Sequence, residues 1–371
     1  MKVLLTYASS GAGHRRAAEA VYDYIRESHP ETEVEITDVL AHASAFFKFN
    51  YGWGYSFLAR RANFLWRLGF WLTDCRIFRP LFRPLTSFIN RINTKDFARL
   101  LIRDKPDYII STHFLTSEIA AYLKQGGQIT AHLATVVTDF GVHYFWVSPG
   151  TDTYIVASQF AGEQLLNFGI EGKRIKQLGI PIDPKFSREY NRVELSSKFG
   201  IDAHKFTLLV MTGSFGSGPL EQIAESLCKE AQVLVVCANN KKLYARLNRK
   251  NLPNMKAFGL VNNPEELMAV SDMIVTKPGG LTISELLAME LPPLFISAIP
   301  GQEENNVKVL RQYGIGISAG NLGELARTIL HFKSHPEELI SIKEKMRKVK
   351  KPSAAGAIFN AVCKGGSGPA R

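Results

Sequence analysis

Between Thr276 and Asn306 the chain reads TKPGGLTISELLAMELPPLFISAIPGQEENN. An apolar run, Met273–Ile274–Val275, stops at Lys277-Pro278-Gly279-Gly280, and a helical pattern begins at once with Leu281, Ile283, Leu286, Leu287 and Met289 apolar. Strand, glycine turn and helix start together make an anion site, because bare backbone N–H groups and the positive helix end face the ligand. A second short strand, Pro293–Ser297, ends in Pro300-Gly301-Gln302-Glu303. Two strand ends then aim polar groups at one crevice, where open α/β sheets bind ligands. Glu285 has two readings at this point: a ligand contact, or the far member of a capping box with Thr282.

The same unit occurs twice more. Residues 2–8 (KVLLTYA) read as a buried strand, Ser9 to His14 as a glycine loop, and the stretch to about Ser28 as a helix with Ala17, Ala18, Val21 and Ile25 inward. A dinucleotide fingerprint needs a third glycine where Arg16 stands, which argues against NAD. His14 falls at a helix N-terminus, where the dipole disfavours imidazolium and keeps the ring a proton acceptor. The position equally suits a histidine that only caps the helix. The strand Phe206–Met211 leads into the third loop, Thr212 to Gly218.

These motifs carry a resemblance. TKPGG…SE…PGQEENN, with S-x-G-x-G-H-x-x-A-A at residues 9–18, resembles glycosyltransferases of the monogalactosyldiacylglycerol synthase and processive diacylglycerol β-glucosyltransferase family, glycosyltransferase family 28. The resemblance covers Met1 to about Lys351. It implies a GT-B fold: two doubly wound Rossmann-like α/β domains facing a cleft. It implies that Gly213, Ser214, Gly216, Lys277, Gly279 and Gly280 hold the donor's diphosphate region, that Glu285 holds the ribose, and that Gln302 and Glu303 touch the hexose. His14 is then the catalytic base. Asp139, in a TD…HxxW arrangement, orients His14 or the acceptor, or caps the next turn. Gly13, His143 and Trp146 fall on the acceptor side. The implied reaction moves a hexose, glucose or galactose, from a UDP-sugar to diacylglycerol, inverting the anomeric carbon.

The elements that must position these residues alternate strand and helix along the chain, the pattern of doubly wound domains. The strand Pro106–Ser111 ends in Thr112-His113, to which no role is given, and the strand Ile129–Thr138 ends at Asp139. The expected division is 1–184 for the acceptor, 185–351 for the donor, and a tail at 352–371. Four cysteines without metal or redox spacing read as buried thiols in a reducing compartment. There is no signal peptide pattern, and no run reaches the roughly 18 apolar residues of a membrane span. No Asp-x-Asp and no His/Cys cluster occurs, so neither a metal nor another cofactor is expected.

The net charge of +11 is concentrated in residues 42–92, where Lys48 and seven arginines stand against the single acid Asp74, among many aromatics. Cationic residues mixed with Trp and Phe suit an anionic membrane interface. The expected contacts are Phe46, Phe47, Trp53, Arg60, Arg61, Trp66, Arg67 and Trp71, in an enzyme held peripherally on the inner face of the cell membrane. Nucleic acid is not an expected partner, since no nucleic-acid motif accompanies the charge. Oligomeric state is left open. Rival readings are a peptidoglycan-precursor N-acetylglucosaminyltransferase, a UDP-sugar 2-epimerase on the same fold, and a non-enzymatic membrane-binding protein.

Overall fold

The computed structural model describes residues 1–51, 63–75, 78–213, 216, 218–296, 298–299 and 301–364, with the backbone alone at 63, 65, 66 and 79–81. Two six-stranded sheets are present, every strand pair parallel. The first contains β1 (Lys2–Tyr7), β2 (Glu33–Asp38), β3 (Tyr108–Ser111), β4 (His132–Val136), β5 (Thr153–Ile155) and β6 (Ile175–Lys176), in the order 2-1-3-4-5-6. The second contains β7 (Thr207–Met211), β8 (Gln232–Val236), β9 (Met255–Phe258), β10 (Met273–Thr276), β11 (Pro293–Phe295) and β12 (Ile317–Ser318), in the order 12-11-10-7-8-9.

Parallel strands need crossovers, and crossovers cover both faces, so the inner strands are mostly buried and apolar, while the edge strands β2, β6, β9 and β12 keep exposed or half-exposed positions. In the first sheet the two-residue period sorts side chains onto two cores. Leu4, Ile109 and Leu133 pack on one face with Phe97, Leu101 and Leu115 from the helices Lys95–Asp104 and Phe114–Gln125. Val3, Leu5, Ile110 and Val136 pack on the other, against Val21 and Ile25 of the helix α1 (Ala12–Ser28).

Residues group into two compact units, and the grouping does not follow a single cut. The first unit contains Met1–Asp183, Ile299–Asn306 and Lys351–Arg371; the second contains Pro184–Ala298 and Val307–Lys350. The expected donor half therefore loses the segment containing Gln302 and Glu303 to the first unit. The expected tail is also corrected. Ala354–Phe359 is helical, and Ile358, Phe359 and Val362 are fully buried in the α1 core. The physical cause is the apolar pattern of AAGAIFNAV, which α1 needs as a cover; the glycine-rich end, which had set the expectation, begins only at 365. Gly356 lets the two helices close, since a Cβ there would stand 2.8 Å from the Tyr24 ring.

Phe359→Ala should accordingly lower the unfolding free energy by about 3–5 kcal/mol, the usual cost of emptying a buried phenylalanine site. Urea denaturation followed by the first unit's tryptophan signal measures it; a loss below about 1 kcal/mol would mean that the C-terminal helix is not part of that core.

Candidate active site

In the first sheet, β1 has β2 on one side and β3 on the other, so the winding direction reverses there. Loops leaving the carboxyl ends of β1 and β3 diverge at such a point and leave room between them. His14, in the first turn of α1, lies in that space. Its Nδ1 is 2.9 Å from the Thr112 carbonyl oxygen and 2.9 Å from Thr138 Oγ1. Thr112 in turn donates its hydroxyl to the His14 carbonyl at 2.8 Å. A carbonyl only accepts, so Nδ1 carries the proton and the lone pair is at Nε2. Burial, opposed by the bond to the Thr112 carbonyl, brings the His14 pKa down to about 4. The ring is therefore a neutral acceptor at neutral pH. No side chain caps α1 and its first turn holds no acid, so His14 is not the helix cap.

His113 is the residue the sequence reading passed over. It is buried, and its ring meets that of His14 edge-on with centroids 4.5 Å apart. Its Nδ1 accepts from the Leu115 N–H, capping the helix Phe114–Gln125, so Nε2 carries the proton and faces Ser10 Oγ at 3.3 Å. Burial, and then the charge of His14, hold its pKa well below the usual histidine range. A histidine directly after a buried strand was the available signal. Trp146 is buried with its ring 6.3 Å from that of His14, and Gly13 precedes the base in the same turn.

Asp139 does not orient His14. Its carboxylate accepts from Gln302 Nε2 at 2.6 Å and from Asn306 Nδ2 at 3.0 Å. Asn306, fully buried, also accepts the Phe140 N–H at 2.7 Å. Burial raises the Asp139 pKa to about 7 against the lowering effect of these two amides. The His14 ring has its Nδ1 proton satisfied by Thr112 and Thr138, which leaves Asp139 to the returning segment. In that segment Glu303 accepts the Ile299 N–H at 2.7 Å and Glu304 the Gly301 N–H at 2.9 Å. His143 is likewise engaged on both nitrogens: Nδ1 accepts from the Phe145 N–H, and Nε2 donates to the Phe70 carbonyl at 3.1 Å. It ties the helix Asn63–Asp74 to the β4–β5 connection.

The second sheet reverses its winding at β7, between β10 and β8, and the two expected donor loops leave β7 and β10. Gly213, Gly216 and Gly218 all have positive φ, which suits glycine. At Gly216 a Cβ would stand 2.1 Å from the Cys237 carbonyl oxygen, and its N–H turns back on Gly213 at 3.2 Å, so its role is the turn itself rather than an anion contact. Ser214 lies outside the described residues. Beyond β10 and Lys277, the helix Gly280–Met289 starts with Gly279 as an extended cap, no capping side chain and open space around the Gly279 Cα. Its first N–H groups have no acceptor within the helix. Thr282 is the helix's third residue, so it is not an N-cap and the capping-box reading of Glu285 fails. Glu285 sits in the second turn and is buried.

Of the expected membrane contacts, Phe46 and Trp71 are exposed, Phe46 by 79%. Phe47 is not: it is buried in the core with Leu4 and Leu115 and packs on Tyr51. Helical alternation accounts for this, since adjacent residues point to different sides. Arg67 pairs with Glu304. Trp53, Arg60 and Arg61, and the Trp66 side chain, lie outside the described residues.

Residues 14–182 match the monogalactosyldiacylglycerol synthase family, and residues 207–358 the glycosyltransferase family 28 C-terminal domain. The chain is 28% identical to a processive diacylglycerol β-glucosyltransferase of Bacillus cereus, over 97% of this chain and 93% of that one. It is 27% identical to the enzyme of the same name from Bacillus pumilus, over 93% and 90%. Among solved structures, MurG of Acinetobacter baumannii superposes with a TM-score of 0.63 at 12% identity, over 98% of this chain and 99% of that one. The UDP-GlcNAc 2-epimerase of Neisseria meningitidis gives 0.62 at 13%, over 98% and 100%. With two parallel six-stranded sheets, each reversed at the strand that bears its glycine loop, the chain has the GT-B fold, its residues 14–182 being a match to the monogalactosyldiacylglycerol synthase family and its residues 207–358 to the glycosyltransferase family 28 C-terminal domain.

Proposed function

We propose that this chain transfers a hexose, glucose or galactose, from a UDP-sugar to the free hydroxyl of diacylglycerol, forming a β-glycosyldiacylglycerol. The observation that carries it is the His14 tautomer: Nδ1–H is fixed by the Thr112 carbonyl and the lone pair is left at Nε2. The acceptor oxygen attacks the anomeric carbon as the bond from that carbon to the diphosphate breaks. The acceptor's proton passes to His14 Nε2, and UDP leaves with the bonding pair. Inversion of an α-linked donor gives a β product. The uncapped start of the helix after Gly279, with Lys277 and Gly213, stabilises the departing diphosphate by preorganised donors. Glu285 takes the ribose, and Gln302 and Glu303 take the hexose. Asp139, held to Gln302, is a positioning residue in this scheme. The names of the Bacillus relatives support the acceptor, and the related fold of Anabaena HepE, solved with UDP, supports the donor.

Purified protein given UDP-glucose or UDP-galactose with diacylglycerol vesicles should release UDP and yield a β-glycolipid. His14→Ala should lower kcat by about 10²-fold or more, within the range for general-base catalysis, while UDP affinity stays near that of the parent. Because a base must be neutral and burial sets the His14 pKa near 4, activity should show no acid limb from His14 between pH 6 and 8 and should fall only as pH drops toward 4. An α-linked product, a UDP-sugar converted without any acceptor, or a His14→Ala enzyme of normal turnover each contradicts the scheme.

Diacylglycerol stays in the bilayer, so the first unit must meet a membrane surface. No helix among the described residues is long and apolar enough to cross one. Support for peripheral contact comes from exposed rings at Phe46, Phe49, Phe64, Trp71 and Phe88 in the arginine-rich stretch. Arginines near an anionic surface contribute about 1 kcal/mol each, and salt screens them. Binding should be stronger to anionic than to neutral vesicles and weaken with salt. The double variant Phe46→Ser, Trp71→Ser should bind anionic vesicles about tenfold less tightly or worse, since each buried ring is worth about 1.5–3 kcal/mol. If it co-sediments like the parent, the contact lies on another face.

A further inference from the structure

The helices Leu322–Ser334 and Pro336–Val349 of the second unit meet at a corner where three exposed metal-ligating side chains converge. His331, His335 and Glu338 have their ligand atoms within 4.8 Å of one another, and they are the one such group of three among the described residues. His331 Nε2 is 3.0 Å from Glu338 Oε1. The two imidazoles stack with centroids 4.3 Å apart. His335 Nδ1 donates to the His331 carbonyl at 2.9 Å. That bond fixes the His335 proton on Nδ1 and leaves Nε2 with its lone pair. This is the tautomer a metal takes, with a backbone carbonyl behind it as the supporting contact.

The corner itself is well held. The His335 N–H reaches the His331 carbonyl at 2.9 Å, the Glu338 N–H reaches the His335 carbonyl at 3.1 Å, and Pro336 presets the first turn of the second helix. The backbone therefore presents the three side chains from rigid elements. With bonds of about 2.0–2.1 Å, ligand atoms of a tetrahedral site stand roughly 3.3 Å apart. Small rotations of exposed side chains close the group to that spacing.

We propose that His331, His335 and Glu338 form a binding site for a divalent transition metal such as Zn²⁺. Two imidazoles and one carboxylate select such an ion over Mg²⁺ or Ca²⁺, which take oxygen ligands. The ion takes the place of the proton between His331 Nε2 and Glu338 Oε1, and the His331 ring then carries its proton on Nδ1. Water completes the coordination. None of the residues proposed for transfer belongs to the group, so occupancy is read by binding and not by turnover.

Calorimetric titration of the full chain, free of any affinity tag, with ZnCl₂ tests this, together with the unfolding midpoint with and without Zn²⁺. The expected result is saturable uptake of one Zn²⁺ per chain, a raised midpoint, and no uptake of Mg²⁺. His331→Ala and His335→Ala should each remove both effects, while His204→Ala, at another exposed histidine of the same unit, should keep them. Glu338→Gln should weaken uptake while leaving the metal-free midpoint near that of the parent. A parent that takes up no Zn²⁺, or takes it up without saturation, overturns the site. So does uptake unchanged in both histidine variants.

Discussion

The residues proposed for transfer owe their places to the need of a parallel sheet to cover both of its faces. Helices on one side demand winding in one direction, and helices on the other demand the reverse. The strand where the direction changes has neighbours whose loops part company, and a gap results. β1 is that strand in the first sheet and β7 in the second. His14, Thr112 and His113 follow β1 and β3, while Gly213 and Gly279 follow β7 and β10. The sites are thus consequences of topology, and the glycines only let the backbone use the space.

Burial then decides protonation. His14 and His113 lie close together in the first unit, and a second positive ring there would face both lost hydration and its neighbour's charge. Both are driven neutral, with tautomers set by opposite means. A carbonyl takes the Nδ1 proton of His14, whereas a backbone N–H occupies Nδ1 of His113. At Nε2, His14 is left with a lone pair and His113 with a proton. Asp139 shows the same burial acting on an acid: its pKa rises, and only the amides of Gln302 and Asn306 make an ionised form tolerable. The exposed ion pairs, such as Arg67 with Glu304, contribute little by comparison.

The two sheets, the glycine turns and the place of His14 at a helix start were legible because each is local: an apolar run, a turn and a helix start lie within 20 residues of one another. What was not legible is long-range. Nothing near Asp139 in the sequence signals that its partners are Gln302 and Asn306, more than 160 positions away. Phe47 could not be told from Phe46 by composition, since both are aromatic in a basic stretch, and only the helix phase separates a core ring from an exposed one. The helix Ala354–Phe359 was hidden by the glycine-rich end after it, which led all of 352–371 to be read as a tail. The corner of His331, His335 and Glu338 was missed for a different reason: a His-x3-His pair alone is only two ligands, and the third, Glu338, lies beyond the break between two helices at Pro336.

The C-terminal helix also has a kinetic side. Val21 and Ile25 are made more than 330 positions before Ile358 and Phe359, the residues that complete their core. At roughly 5–20 residues per second, a ribosome takes on the order of 20–70 s to cover that distance. Throughout this interval α1 has the sheet beneath it but lacks Ile358, Phe359 and Val362, so this core of the first unit stays incomplete while the chain is still growing. The first unit thus cannot be finished until residues near the end of the second have been made.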